Sequence, residues 1–201
     1  MTAEVIELTI ERGKTFEWAF QYADDVLTYK AISAMPSAAP VRLTVAAHGI
    51  PDGWPVEVIG VKNPAELNTK ADMPRLCRVI DADTIEFNTL YGADWRAYAS
   101  GGHVVFNTPA DLTGWTARAA VYDKVGGTKL LSWHSDPLTA PDCPLTIDTA
   151  ASAFVLHMDA AMAAGLPWSK GLWEMEAIDP AGKVYPVVAI SPVIVTKEAL
   201  I

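Results

Sequence analysis

The chain is short of most of what a catalytic or nucleic-acid-binding protein carries. It has two cysteines, Cys77 and Cys143, far apart and with no second Cys or His at ligand spacing. That argues against a zinc knuckle or a redox Cys pair, and two buried reduced thiols are expected. Its four histidines form no His-x-His or His-x-x-x-His, so no metal site is expected. Positive charge is scarce, with 15 Lys and Arg against 24 Asp and Glu and a net charge of −9. The basic patch that phosphate binding demands is therefore missing, and no nucleic-acid partner is expected. No apolar run approaches the roughly 18 residues of a membrane span. Met1 to Glu4 shows no basic region leading into an apolar stretch, so neither a secretory leader nor a membrane partner is expected. Long periods of 3.6 residues are also missing, and helix should be scarce.

What the chain does have is punctuation and alternation. Its 14 prolines and 13 glycines are spread along the length and divide short segments, as an all-β protein requires. Hydrophobic residues make up 51% of the chain, enough for a core. In Asp111-Leu112-Thr113-Gly114-Trp115-Thr116-Ala117-Arg118-Ala119-Ala120-Val121-Tyr122-Asp123 a turn feeds a strand. There Trp115, Ala117, Ala119 and Val121 share one face, and Thr116, Arg118, Ala120 and Tyr122 the other. Gly126-Gly127 then turns the chain into a return strand over Thr128 to Trp133. Asp159 to Ala164 is the only helical turn expected, capped by Asp159 and stopped by Gly165 and Pro167.

The segment "DLTGWTARAAVYD" resembles the second-strand motif of a small β-sandwich domain of tailed-bacteriophage virions, notably tail collar and tail-fibre attachment proteins. The opening Glu-Arg-Gly-Lys-Thr turn before an aromatic-bearing strand, and the closing "GLWEMEAIDPAGKVYPVVAISPVIVT", are similar to the same family. Between them lies "AAHGIPDGWPVEVIGV…ELN…CRVIDADTIEFN…YASGGHV". It resembles a small β-barrel repeat of phage tail proteins and of a half-domain of ubiquitin-activating enzymes. The resemblances imply an all-β chain, an immunoglobulin-like β-sandwich over 1–35 and 108–201 with an inserted small β-barrel domain over 40–107. Ala31 to Pro40, rich in Ala, Ser and Pro, reads as the linker between the two.

Candidate chemistry is sparse. His48 in Ala-Ala-His-Gly can hold a turn or a neighbouring backbone, or act as a ligand. The carboxylate pairs Asp24-Asp25, Asp81/Asp83 and Glu174/Glu176 read as a strand end, a hairpin turn and a solvent face rather than as a general acid and base. There is no Gly-x-Ser-x-Gly elbow and no phosphate-binding glycine loop, so no enzyme, catalytic residue or cofactor is expected. Of the seven tryptophans, Trp18, Trp115 and Trp173 fall on apolar faces and are expected in a core. Trp95 and Trp168 fall in loops. Each is a candidate interaction residue, as a protein-interface anchor or a carbohydrate platform, or else folds back on its own domain. The apolar tip that includes Leu200 and Ile201 is a further candidate, to pair with a neighbouring edge or to fray.

What the resemblance implies is a structural subunit of a tailed-phage virion, assembled in the host cytoplasm and placed in the tail or neck. It would be a ring or collar component of the tail or baseplate. The expected partners are further copies of itself in a homo-oligomeric ring and tail tube, baseplate or fibre proteins. The alternatives are a head decoration or head-to-tail connector subunit, or a host-surface glycan-binding module.

Overall fold

The structure is a computed structural model, and it describes residues 3, 5–70 and 73–197. Two strands open the chain, β1 (Leu8–Glu11) and β2 (Phe16–Gln21). There follow β3 (Ala23–Ala31), β4 (Ala34–Ala38), β5 (Val41–Thr44), β6 (Pro55–Ile59), β7 (Arg75–Leu76), β8 (Arg78–Asp81), β9 (Thr84–Phe87) and β10 (His103–Pro109). The last group is β11 (Thr116–Tyr122), β12 (Lys129–His134), β13 (Cys143–Asp148), β14 (Ala153–Met158), the short helix α1 (Ala160–Gly165), β15 (Lys170–Ile178) and β16 (Val184–Thr196). The protein is all-β, and it divides into two compact units, 1–22 with 111–201, and 23–110.

In the first unit the strand order is β1-β16-β15-β11-β12-β13-β14-β2. β1 runs parallel to β16, with Leu8 opposite Val193, and β16, β15, β11 and β12 are antiparallel neighbours. A two-residue parallel contact, Trp133 opposite Cys143, links them to the antiparallel trio β13, β14 and β2. The array folds over at that link. Trp18 of β2 consequently meets Trp173 of β15 edge-on, ring centroids 5.5 Å apart, and Phe16 meets Trp133 at 6.4 Å. Two antiparallel layers with this Greek-key order form an immunoglobulin-like sandwich.

Local chemistry explains the elements. The Asp111 side chain accepts the Thr113 N–H at 3.0 Å and Gly114 takes a φ of +75°, which turns the chain into β11. Hydrogen bonds from Thr113 hold the Asp111 carboxyl below its ordinary range. Along β11, Ala117, Ala119 and Val121 are buried and Thr116 and Arg118 exposed, as the alternation predicts. Asp159 caps α1 by accepting the Met162 N–H at 2.7 Å.

The second unit has two four-stranded sheets, β3-β10-β6-β7 and β4-β5-β9-β8. Two stretches cross from one sheet to the other. β3 bends into β4 at Ile32-Ser33, and β7 bends into β8 at Cys77. Both Ile32 and Cys77 are buried at these corners. Corners made by strands that change sheets give a small barrel closed around one core, containing Trp54, Val58, Leu43, Leu67, Ile85 and Phe87. Trp54 donates its indole N–H to the Asn107 carbonyl at 3.0 Å, so its burial leaves no donor unmet.

Two expectations need correction. The boundaries placed at 35, 40 and 108 move to 22/23 and 110/111, because β3 pairs with β10 from His103 opposite Ala31 to Pro109 opposite Ala23. The stretch 31–40 is not a linker either. Ala34 lies opposite Thr44 and Ala38 opposite Val41, with a register shift around Pro36. Proline has no N–H for a ladder, so it sits at an irregularity of an edge strand. Small Ala and Ser side chains carry no alternation, which is why composition hid the strand.

Candidate interaction surfaces

Trp95 lies in the loop between β9 and β10. Its backbone N–H reaches the Gly92 carbonyl at 3.0 Å, and its ring packs against the barrel core. A Cβ on Gly92 would stand 2.4 Å from that ring, so Gly92 is the seat of the indole. Trp95 is thus half-buried on its own unit. Trp168, between α1 and β15, is half-buried in the sandwich unit. Its carbonyl accepts from Arg12 Nη2 at 2.9 Å, while its own Nε1 and Arg12 Nε are buried without a hydrogen-bond partner. Leu200 and Ile201 fall outside the described residues.

His48, His134, Asp81 and Asp83 are occupied by backbone groups. His48 is buried; its Nε2 lies 2.8 Å from the Asp81 carbonyl and its Nδ1 accepts the Ile50 N–H at 3.0 Å. One neutral tautomer, Nε2–H, satisfies both bonds, so the ring fastens its turn to the β8–β9 hairpin. In that hairpin Asp81 accepts the Asp83 N–H at 2.9 Å, and Asp83 accepts the Ala47 N–H at 2.6 Å. The Asp83 and Thr84 hydrogen bonds hold the Asp81 carboxyl below its ordinary range. His134 Nδ1 accepts the Asp136 N–H at 2.8 Å, and His157 lies 2.8 Å from the Thr146 hydroxyl and 3.3 Å from Glu17.

The two cysteines are free and buried. Desolvation pushes the Cys77 thiol up to about 12 and the Cys143 thiol up to about 11, with nearby aspartates acting in the same direction. At about pH 8 both are overwhelmingly thiols rather than thiolates, and a thiolate is the reactive form. Ellman's reagent is expected to label neither in the folded protein and both after denaturation. Rapid labelling of either in the native state would contradict their packing.

A groove of about 460 Å³ lies on the outer face of β11, β12 and β15. Ala120 makes its floor, since it lies opposite Ser132 on one side and Glu174 on the other. Around this floor stand Arg118, Lys129, His134 and Glu176, and the Thr139–Pro141 stretch forms a rim. Arg118 grips Glu176 through Nε at 2.9 Å and Nη2 at 2.6 Å, and Ser132 donates to Asp142 at 2.7 Å. Charges paired in this way shape a surface; they do not set a nucleophile against a base. Among the described residues no group of three or more His, Cys, Asp or Glu could hold a metal. No protein-family model and no curated protein matches this chain.

Two constellations escaped sequence reading. Arg118 and Glu176 were legible only as solvent-facing positions, because their pairing depends on the register of β11 against β15. In the barrel, Glu86 is 3% exposed on β9, with Arg42 Nε at 2.5 Å and Arg78 Nη1 at 3.8 Å. Register again makes the triplet, for Glu86 lies opposite Arg42 on β5 and opposite Arg78 on β8. By alternation Glu86 shares the face opposite Ile85 and Phe87, so by sequence alone it looks like an ordinary solvent-facing carboxylate.

Proposed function

We propose that this protein is a non-enzymatic structural subunit of a tailed-phage virion, a ring or collar component of the tail or baseplate that attaches tail or fibre proteins. One observation carries the reading: a complete second β unit sits between β2 and β11 of an immunoglobulin-like sandwich. The stretch Asp111 to Asp123, which forms the turn into β11 and β11 itself, is the segment that resembles collar and fibre-attachment proteins. Rigid β units that carry paired surface charges and uncovered sheet edges suit adhesion between subunits. The partners in this reading are further copies of the chain and neighbouring tail, baseplate or fibre proteins, and the site of action is the tail or neck of the particle.

The test is direct. An antibody against the recombinant chain is used for immunogold labelling of virions purified from the strain that encodes it, together with peptide mass spectrometry of the same particles. Gold at the tail or neck with stoichiometric peptides is expected. Gold on the capsid would replace the reading with a head decoration role, and purified particles without the chain would overturn it.

A further inference from the structure

The groove over β11 has fixed walls and an unspent polar lining. One wall is set by the grip of Arg118 on Glu176. The opposite rim is tied down twice, by Ser132 donating to Asp142 at 2.7 Å and by the Asp136 side chain accepting the Leu138 N–H at 2.9 Å. The His134 ring is fixed as well, because its Nδ1 accepts the Asp136 N–H at 2.8 Å. An accepting Nδ1 carries no proton, so the ring is neutral with its N–H at Nε2, and that donor has no partner among the described residues. Three more lining groups make no hydrogen bond or ion pair among the described residues: the Glu174 carboxylate, the Lys129 ammonium and the Tyr122 hydroxyl. Register brings them together. Glu174 and Ser132 flank Ala120, and Lys129 flanks Tyr122 about 7 Å further along β11.

We propose that this groove is a binding site for a neutral saccharide. Its charge disfavours ions. Arg118 and Lys129 balance Glu174 and Glu176, and His134 is neutral, so an anion or a cation placed here meets a like charge beside its counter-charge. A sugar hydroxyl both donates and accepts, which suits a lining that sets ammonium, imidazole and phenol donors around a carboxylate. In the complex Glu174 accepts from neighbouring hydroxyls through its two oxygens, while Lys129 and His134 Nε2 donate to sugar oxygens. A peptide fits less well. β11 is paired on both edges, to β12 and β15, so no strand can be added there, and most of the lining side chains are polar, so an apolar anchor finds no pocket. The volume of about 460 Å³ falls within the ~300–1,000 Å³ of small-molecule sites. Trp95, which the sequence offered as a carbohydrate platform, is seated on Gly92 in the barrel and takes no part. The groove lies wholly in the sandwich unit, and the proposal stands whether or not the virion reading does.

Saturation-transfer difference NMR of the full chain tests it with methyl glucoside, methyl galactoside, N-acetylglucosamine, glucuronate and triglycine, each at about 10 mM, a level that reveals millimolar affinity. A signal is expected from at least one of the three neutral sugars, a weaker one from the anionic glucuronate, and none from triglycine. Ala120→Phe fills the floor, since Ala120 lies on the solvent side of β11 and the new ring enters the groove rather than the core; it is expected to abolish the signal. Glu174→Gln keeps the shape and removes the charge, and is expected to weaken binding about tenfold, because bonds to a charged acceptor are the stronger kind. Circular dichroism of each variant establishes that the fold is kept, and the isosteric Glu174→Gln reads the site even if Ala120→Phe does not fold. Silence from all three neutral sugars overturns the proposal. So does a sugar signal that both variants leave unchanged, or a preference for glucuronate or triglycine.

Discussion

Trp173→Ala is expected to destabilise the sandwich unit by about 4 kcal/mol, at the upper part of the range for truncating a buried aromatic. The side chain is fully buried, packs edge-on against Trp18 across the two layers, and donates its indole N–H to the Ile6 carbonyl at 2.8 Å. Its removal opens a cavity at the centre of the unit and strips the half-buried Ile6 carbonyl of its donor. It also loosens the chain entering β1, whose parallel pairing with β16 closes one edge of the array. A loss of that size is comparable with the whole stability of many domains, so the unit would be left marginal. Trp173→Phe keeps most of the ring and forfeits the hydrogen bond, and should cost about half as much. Urea unfolding followed by circular dichroism measures both. A cost of less than about 1.5 kcal/mol for Trp173→Ala would show that this ring does not join the layers.

In the barrel the largest expected effect is electrostatic. Arg42→Met takes the nearest guanidinium from Glu86, leaving a carboxylate that is 3% exposed with Arg78 at 3.8 Å as its one remaining ion-pair partner among the described residues. Breaking a buried pair from one side strands the other charge. Because Arg42 is itself 45% exposed, the expected cost is about 2–3 kcal/mol, below the range for fully enclosed pairs. Glu86→Leu in the Arg42→Met background removes the stranded charge and is expected to recover most of the loss. The double-mutant cycle reads the coupling. If Arg42→Met costs nothing, or Glu86→Leu deepens the loss, solvent is reaching the carboxylate and the pairing is not what holds it.

How far the sequence carried differs from element to element. β11 was legible because Ala117, Ala119 and Val121 alternate with Thr116 and Arg118 and because Asp111 and Gly114 mark the turn before it. α1 was legible from Asp159, its cap. Trp173 was placed correctly in the core, while Trp18 and Trp115 are half-buried beside it. Trp54, the indole most deeply enclosed in the barrel, opens an alternating stretch and shares its buried face with Val56 and Val58. Trp95 could be seen only as a loop aromatic; its seat on Gly92 depends on how that loop closes.

The all-β class, the turn positions and the two faces of the long strands were determined by the sequence alone, since each follows from a few neighbouring residues and the two-residue period of extended backbone. Which strand lies beside which was decided only in the tertiary structure. Nothing local in Ala23–Ala31 says that it pairs with β10 rather than with the sandwich, and nothing local joins Glu86 to Arg42 and Arg78 or Arg118 to Glu176. Hydrogen bonds between strands are made by backbone groups that every residue shares, so their partners are selected by the packing of distant side chains.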